Sequence, residues 1–239
     1  MKKSFFTSSA GIILAGAIIG ALAAFLSVKG NPANMGICIA CFTRDLAGAL
    51  GLHRAAAVQY IRPEIIGIVI GATISSVLSK EFVPKGGSSP AIRFFLGFFA
   101  MIGALVFLGC PWRTLLRIAG GDINGIFGLI GIIIGGGIGV FFWKQNYSLG
   151  ASKNYNNKFV GLLPIIISLI LLALLLSKIK FSENGAIFFS ESGPGSMKAP
   201  IIISLIVSII IGFIAQKSRF CTVGGVRDGI FMKDFHMTK

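Results

Sequence analysis

Two octapeptides in this chain, CIACFTRD at 38–45 and CTVGGVRD at 221–228, share one skeleton: a cysteine, five residues, then an arginine–aspartate pair. The remaining cysteine, Cys110, sits in GCPWRTLLR, ahead of Arg113 and Arg117. A thiol is a soft, weak hydrogen-bond donor that suits a sulfur or selenium atom, and near a helix N-terminus or an arginine it can ionise and react. Arg44, Arg113, Arg117 and Arg227 could offer forked donors to an oxyanion. Plainer readings stand beside these. Cysteine packs well as a small buried hydrophobe, and Asp45 and Asp228 could pair with the arginines, Arg44 with Asp228 for example, to brace two elements. In a helix over 38–45, Cys38, Cys41 and Asp45 would share one face. Cys41 has a glycine, Gly224, at the matching position of the second octapeptide. It therefore ranks below Cys38, Cys110 and Cys221 as a substrate-path residue.

Several functions are disfavoured. Four scattered cysteines make no disulfide scaffold, and one C-x2-C with only two histidines, His53 and His236, makes no zinc site. No metal or cofactor is expected. The glycine-rich stretches at 86–90 and 192–196 lack the lysine and serine of a phosphate loop and read as turns. The net charge of +14 does not gather into a basic domain, so a nucleic-acid partner is disfavoured. Basic residues flanking apolar segments meet lipid headgroups instead.

The elements that must position these groups are membrane helices. Of 239 residues, 54% are hydrophobic and 13% charged, too little charge to cover a soluble surface. Predominantly apolar runs at about 8–28, 62–79, 93–109, 123–143, 159–177 and 199–216 are candidates for bilayer crossings. The expected fold is all-α: a polytopic membrane protein of about six transmembrane helices, forming one membrane domain over 1–239. The first apolar run exceeds a signal-peptide core and reads as a retained helix. The charged segments 30–61 and 110–122 are expensive against lipid, so they should be re-entrant or interfacial. Trp112, His53 and His236 read as interfacial. Lysines in 144–158 and at Lys2 and Lys3 place the N-terminus in the cytoplasm. With six alternating helices, the two octapeptides then enter from opposite faces, which is the pattern of an inverted-repeat transporter. The first repeat would span 8–122, and 199–239 would begin a second.

Over NPANMGICIACFTRDLAGALGLHRAAAVQYIRPE, GGSSPAIRFFLGFFAMIGALVFLGCPWR and QKSRFCTVGGVRD, the chain resembles the YeeE/YedE membrane family, closest to its YedE-type selenium-metabolism branch. Sulfur-handling members of that family resemble thiosulfate importers. The resemblance implies uptake, not catalysis, of a small sulfur- or selenium-containing anion across a bacterial inner membrane. It also implies relay thiols at Cys38, Cys110 and Cys221, with Arg44, Asp45, Arg113, Arg117, Arg227, Asp228 and Cys41 in support. Similar family members are longer, so the second repeat reads as C-terminally incomplete. A missing C-terminal half, or a cytoplasmic sulfur-carrier protein, is then an implied partner. Two other readings stay open: a membrane thiol–disulfide oxidoreductase using Cys38 and Cys41, and a non-transporting half or subunit.

Overall fold

The computed structural model describes every residue except 1–5, 7, 88, 155–157, 178–186 and 233–239. Lys2, Lys3, Glu183 and His236 therefore lie outside the described residues. The all-α expectation is met. The described helices are α1 (Ser9–Val28), α2 (Ile39–Ala49), α3 (Pro63–Leu78), α4 (Pro90–Val106), α5 (Pro111–Ala119), α6 (Asn124–Lys144), α7 (Lys158–Leu176), α8 (Ile201–Ser218) and α9 (Thr222–Met232). The described strand content is one antiparallel pair, Lys85–Gly86 against Lys153–Asn154. Six helical stretches are long and apolar enough to cross a membrane.

Two of those stretches are broken just before a cysteine, and the runs expected at 93–109 and 199–216 match their first helices, α4 and α8. The stretch Pro90–Ala119 comprises α4 and α5, and Ile201–Met232 comprises α8 and α9. Each break uses a non-glycine residue in the left-handed region: Leu108 at φ 57° and Arg219 at φ 57°. Each of these residues lies two positions before a cysteine, Cys110 or Cys221. Beyond the first break Pro111 starts α5, where its missing N–H costs nothing and its fixed φ is already helical. A side chain rarely adopts positive φ, so both bends are held by their surroundings.

The third cysteine element is re-entrant, as its charge suggested. After α1 the chain doubles back until residue 36 lies against the backbone of Ala23. That is about five residues into α1, or roughly 7 Å below its end at 1.5 Å per residue. From there α2 climbs back toward the side it came from. The Ala49 carbonyl at its end accepts from Phe188 N–H at 2.9 Å, and the same 187–199 segment reaches Asn31 beside the end of α1. The element therefore enters and leaves on one side.

The main scaffold is the pair α3–α8, the most extensive helix contact in the described fold. Gly71 and Gly212 lie at this crossing, and a Cβ on either would collide with backbone of the facing helix. Close backbone approach through small residues is how helices associate where lipid removes the hydrophobic drive. Helix α1 packs on α8, α7 on α3, and α6 on both α5 and α9. The apolar side chains of α4, α6 and α7, among them Phe94, Phe99, Phe127 and Phe159, point outward, as lipid-solvated helices require.

Charge inside this scaffold is collected at Arg62, just before α3. Its side chain is fully buried; Nε donates to Asp45 Oδ2 at 2.9 Å, Nη1 to the Met197 carbonyl at 2.9 Å and Nη2 to the Pro194 carbonyl at 2.7 Å. Its guanidinium also stacks 4.5 Å from the Phe42 ring centroid. One side chain thus ties α2, the head of α3 and the 187–199 segment together. Nearby, Glu64 accepts from Asn31 Nδ2 at 2.7 Å and Ser204 Oγ at 2.9 Å, tying α3 to α8.

Candidate functional site

Each of Cys38, Cys110 and Cys221 stands immediately before the first turn of a short helix: α2, α5 and α9. Helix N-termini leave backbone N–H groups unpaired and carry partial positive charge. The Cys38 sulfur takes up one of them, accepting from Cys41 N–H at 3.5 Å. The Cys221 sulfur accepts from Gly224 N–H at 3.2 Å, the same offset in the second octapeptide. The similarity extends further. Arg44 donates to its neighbour Asp45 at 2.7 Å and Arg227 to its neighbour Asp228 at 2.7 Å. The two octapeptides therefore share a local structure as well as a spelling.

Cys38, Cys41 and Cys110 pack in one buried cluster with Met35, Ala40 and Phe42. Ile39 and Ala40 from the start of α2 and Cys110 and Pro111 from the start of α5 line one cavity, so two helix N-termini meet beside the cluster. The cavity, of about 390 Å³, opens beside the cluster, and both Cys110 and Cys221 line it. Thr43, Met101, Trp112, Phe220 and Thr222 complete much of its wall. Trp112 packs edge-on against Phe220, ring centroids 5.6 Å apart. It thus shapes the wall of the cavity between two cysteines.

The arginines separate into paired and unpaired. Arg44 is held by Asp45, Arg227 by Asp228, and Arg117 by Asp122 at 2.6 Å and the Phe107 carbonyl at 2.7 Å. The Arg117 guanidinium holds the half-buried Asp122 carboxyl below its ordinary value of 3.8. Arg44 with Asp228, the cross-element pair offered from sequence, is not formed. Each aspartate takes its own neighbour, because an adjacent arginine reaches it without crossing the cavity. Arg113 is different. Its Nη1 donates to Cys41 Sγ at 3.2 Å, and its Nε is buried with no partner. Among the described residues it forms no ion pair with a carboxylate.

Two features changed rank. Cys41, set lower for lack of a counterpart, lies in the thiol cluster against Arg113, although it does not line the cavity. Arg62 was not singled out, although a charged Arg-Pro-Glu run at the head of an apolar span signals an internal partner. His53 rests on the Arg44 carbonyl at 3.0 Å, close to the ion pairs and away from the thiols. No cluster of His, Cys, Asp or Glu suited to a metal occurs among the described residues.

Residues 1–110 match a family model described as sulphur transport. The matched stretch takes in Cys38, Cys41 and Cys110, three of the four cysteines, and stops short of Cys221. Neither a curated relative nor a solved structure matched the chain. Similarity to a sulphur-transport family over this stretch suggests a transporter of sulfur compounds, and with six apolar helices it suggests a multi-pass membrane protein.

Proposed function

We propose that the chain takes up a small, thiosulfate-like sulfur anion, or its selenium counterpart, through a path lined by Cys38, Cys110 and Cys221. The carrying observation is that Cys110 and Cys221 share one cavity, on which helix N-termini converge from broken or re-entrant elements. That arrangement supplies what an anion needs away from water: partial positive charge from backbone N–H groups and soft donors for a sulfur atom. Arg113, behind Cys110 in the first turn of α5, has no carboxylate partner among the described residues, while Arg44, Arg117 and Arg227 are occupied by carboxylates. The matched local structure at Cys38 and Cys221 supports the reading of 8–122 as one repeat and 199–239 as the start of another. On this reading the protein sits in a bacterial inner membrane with a cytoplasmic N-terminus. It would work with a C-terminal half or a sulfur-carrier protein.

The test is uptake of labelled thiosulfate, selenite and sulfate into proteoliposomes holding the purified chain, alone and with its downstream reading frame. Thiosulfate uptake that falls in Cys110→Ala and Cys221→Ala, at equal incorporation, is the expected result. Unchanged uptake in both variants would remove the cysteine path. Absence of uptake with every anion, in either form, would remove the transport reading.

A further inference from the structure

The buried cluster holds more sulfur chemistry than passage alone requires. We propose that Cys110 is a nucleophile that takes the terminal sulfur from its anion and keeps it as a persulfide; the proposal rests on the sulfur-anion reading above. Of the three clustered cysteines, Cys110 alone lines the cavity, with 7% of its surface exposed against 0% for Cys38 and Cys41. It stands immediately before α5, and the start of α2 at Ile39 and Ala40 lines the cavity beside it, so the partial positive charge of helix N-termini favours a thiolate there. Cys38 packs in the same buried cluster.

The second half of the site is Arg113. It stands three residues after Cys110, in the first turn of α5. Nη1 is turned into the thiol cluster toward Cys41, and Nε, buried and unpartnered, is the donor assigned to a leaving oxyanion. Nucleophile and charge-stabilising donor are thus within one turn of the same helix start.

The chemistry selects the substrate class. A thiol can react with an anion already containing a sulfur–sulfur bond, and no outside oxidant is required. For thiosulfate, the Cys110 sulfur attacks the terminal sulfur and forms a new S–S bond. The old S–S bond breaks, and its electron pair leaves with sulfite. The thiol proton leaves on the same fragment, as hydrogen sulfite. Cys38, packed in the same cluster, can accept the sulfur in turn by an exchange of thiol for persulfide that involves no net oxidation.

The experiment uses the full chain in detergent, so transport is not required. Protein is mixed with thiosulfate; released sulfite is measured, and cysteine peptides are mapped by mass after alkylation without reductant. The expected result is at most one sulfite per chain in the first turnover, with one added sulfur on the Cys110 peptide or, after exchange, the Cys38 peptide. Cys110→Ser should abolish both signals. Arg113→Met should slow sulfite release by roughly 10²-fold, the usual effect of losing a charge-stabilising donor, with Arg113→Lys partly restoring it. Mapping on the wild-type chain keeps the test decisive if a variant fails to fold. No sulfite release, or sulfur found only on Cys221, would overturn the proposal. Uptake without sulfite or persulfide would overturn it while leaving transport standing; persulfide without uptake would do the reverse.

Discussion

Arg62 gives the sharpest test of how the thiol cluster is held. Replacing it with methionine keeps the length of the stem and removes the charge. Asp45 then loses its Arg62 partner but retains Arg44 at 2.7 Å, and the Pro194 and Met197 carbonyls lose their donors. Removing one member of a buried ion pair costs about 3–5 kcal/mol, and the surviving Arg44 contact puts Arg62→Met near the lower end. Asp45→Leu should be worse, because it leaves a fully buried guanidinium with two carbonyls and no counter-charge. At about 2–4 °C per kcal/mol for a chain of this size, Arg62→Met should melt roughly 6–12 °C below wild type. The double variant should fall short of the sum of the two, since it removes the stranded charges together. Unfolding can be followed with a thiol-reactive fluorophore, because Cys38, Cys41 and Cys110 are buried until the fold opens. Two results would refute the reasoning: both single variants melting with the wild type, or Asp45→Leu proving milder than Arg62→Met.

Other outcomes are as specific. In native protein, a permeant maleimide should label exposed Cys221 before the three buried cysteines, read peptide by peptide by mass spectrometry; faster labelling of Cys38 would contradict the packing. Gly71→Leu should destabilise the α3–α8 crossing by about 1–3 kcal/mol or prevent folding, as overpacking does, whereas Gly97→Leu, whose Cβ would meet open space, should melt with the wild type. Asp122 has its pKa lowered by Arg117, so the stabilisation it gives is present above pH about 4 and fades as pH falls through the lower folded value. The melting difference between wild type and Asp122→Asn should therefore narrow below pH about 4.

The spans were legible because lipid demands long uncharged helices, and the re-entrant course of 30–61 was legible because Arg44, Asp45 and Arg54 cannot face hydrocarbon. The helix break at Cys110 was announced by Gly109 and Pro111. The break before Cys221 was legible only as the end of the apolar run at 216. No glycine or proline marks the left-handed turn at Arg219, and the packing of α9 on α6 beyond it is not contained in periodicity. The site was legible in type and less so in pairing. Repetition pointed to Cys38 and Cys221, but symmetry also lowered Cys41, which gains its place by contact with Arg113 from 72 residues further along. Arg44 and Asp228 were offered as a pair because they are alike in position; each had a nearer partner beside it in sequence.

The wall of the cavity decides which anions it could pass. Its side chains are largely apolar, with hydroxyls from Thr43 and Thr222, thiols from Cys110 and Cys221 and the indole N–H of Trp112 as the polar groups. Five weak or neutral side-chain donors replace little of the water around an anion, and taking an ion from water carries an effective penalty of several kcal/mol even inside a protein. Sulfate keeps its charge on four oxygens that all need strong donors, so it loses the most. Thiosulfate places part of its charge on a terminal sulfur, which accepts hydrogen bonds poorly in water and gives up less on meeting a thiol. Thiosulfate should therefore compete for uptake far better than sulfate in the same proteoliposomes. Cys110→Ser should shrink that preference, because a hydroxyl is the stronger donor and favours oxygen. If sulfate competes equally with wild-type protein, the thiols are not what the anion meets, and Arg113 with the helix N-termini would have to carry selection by charge alone.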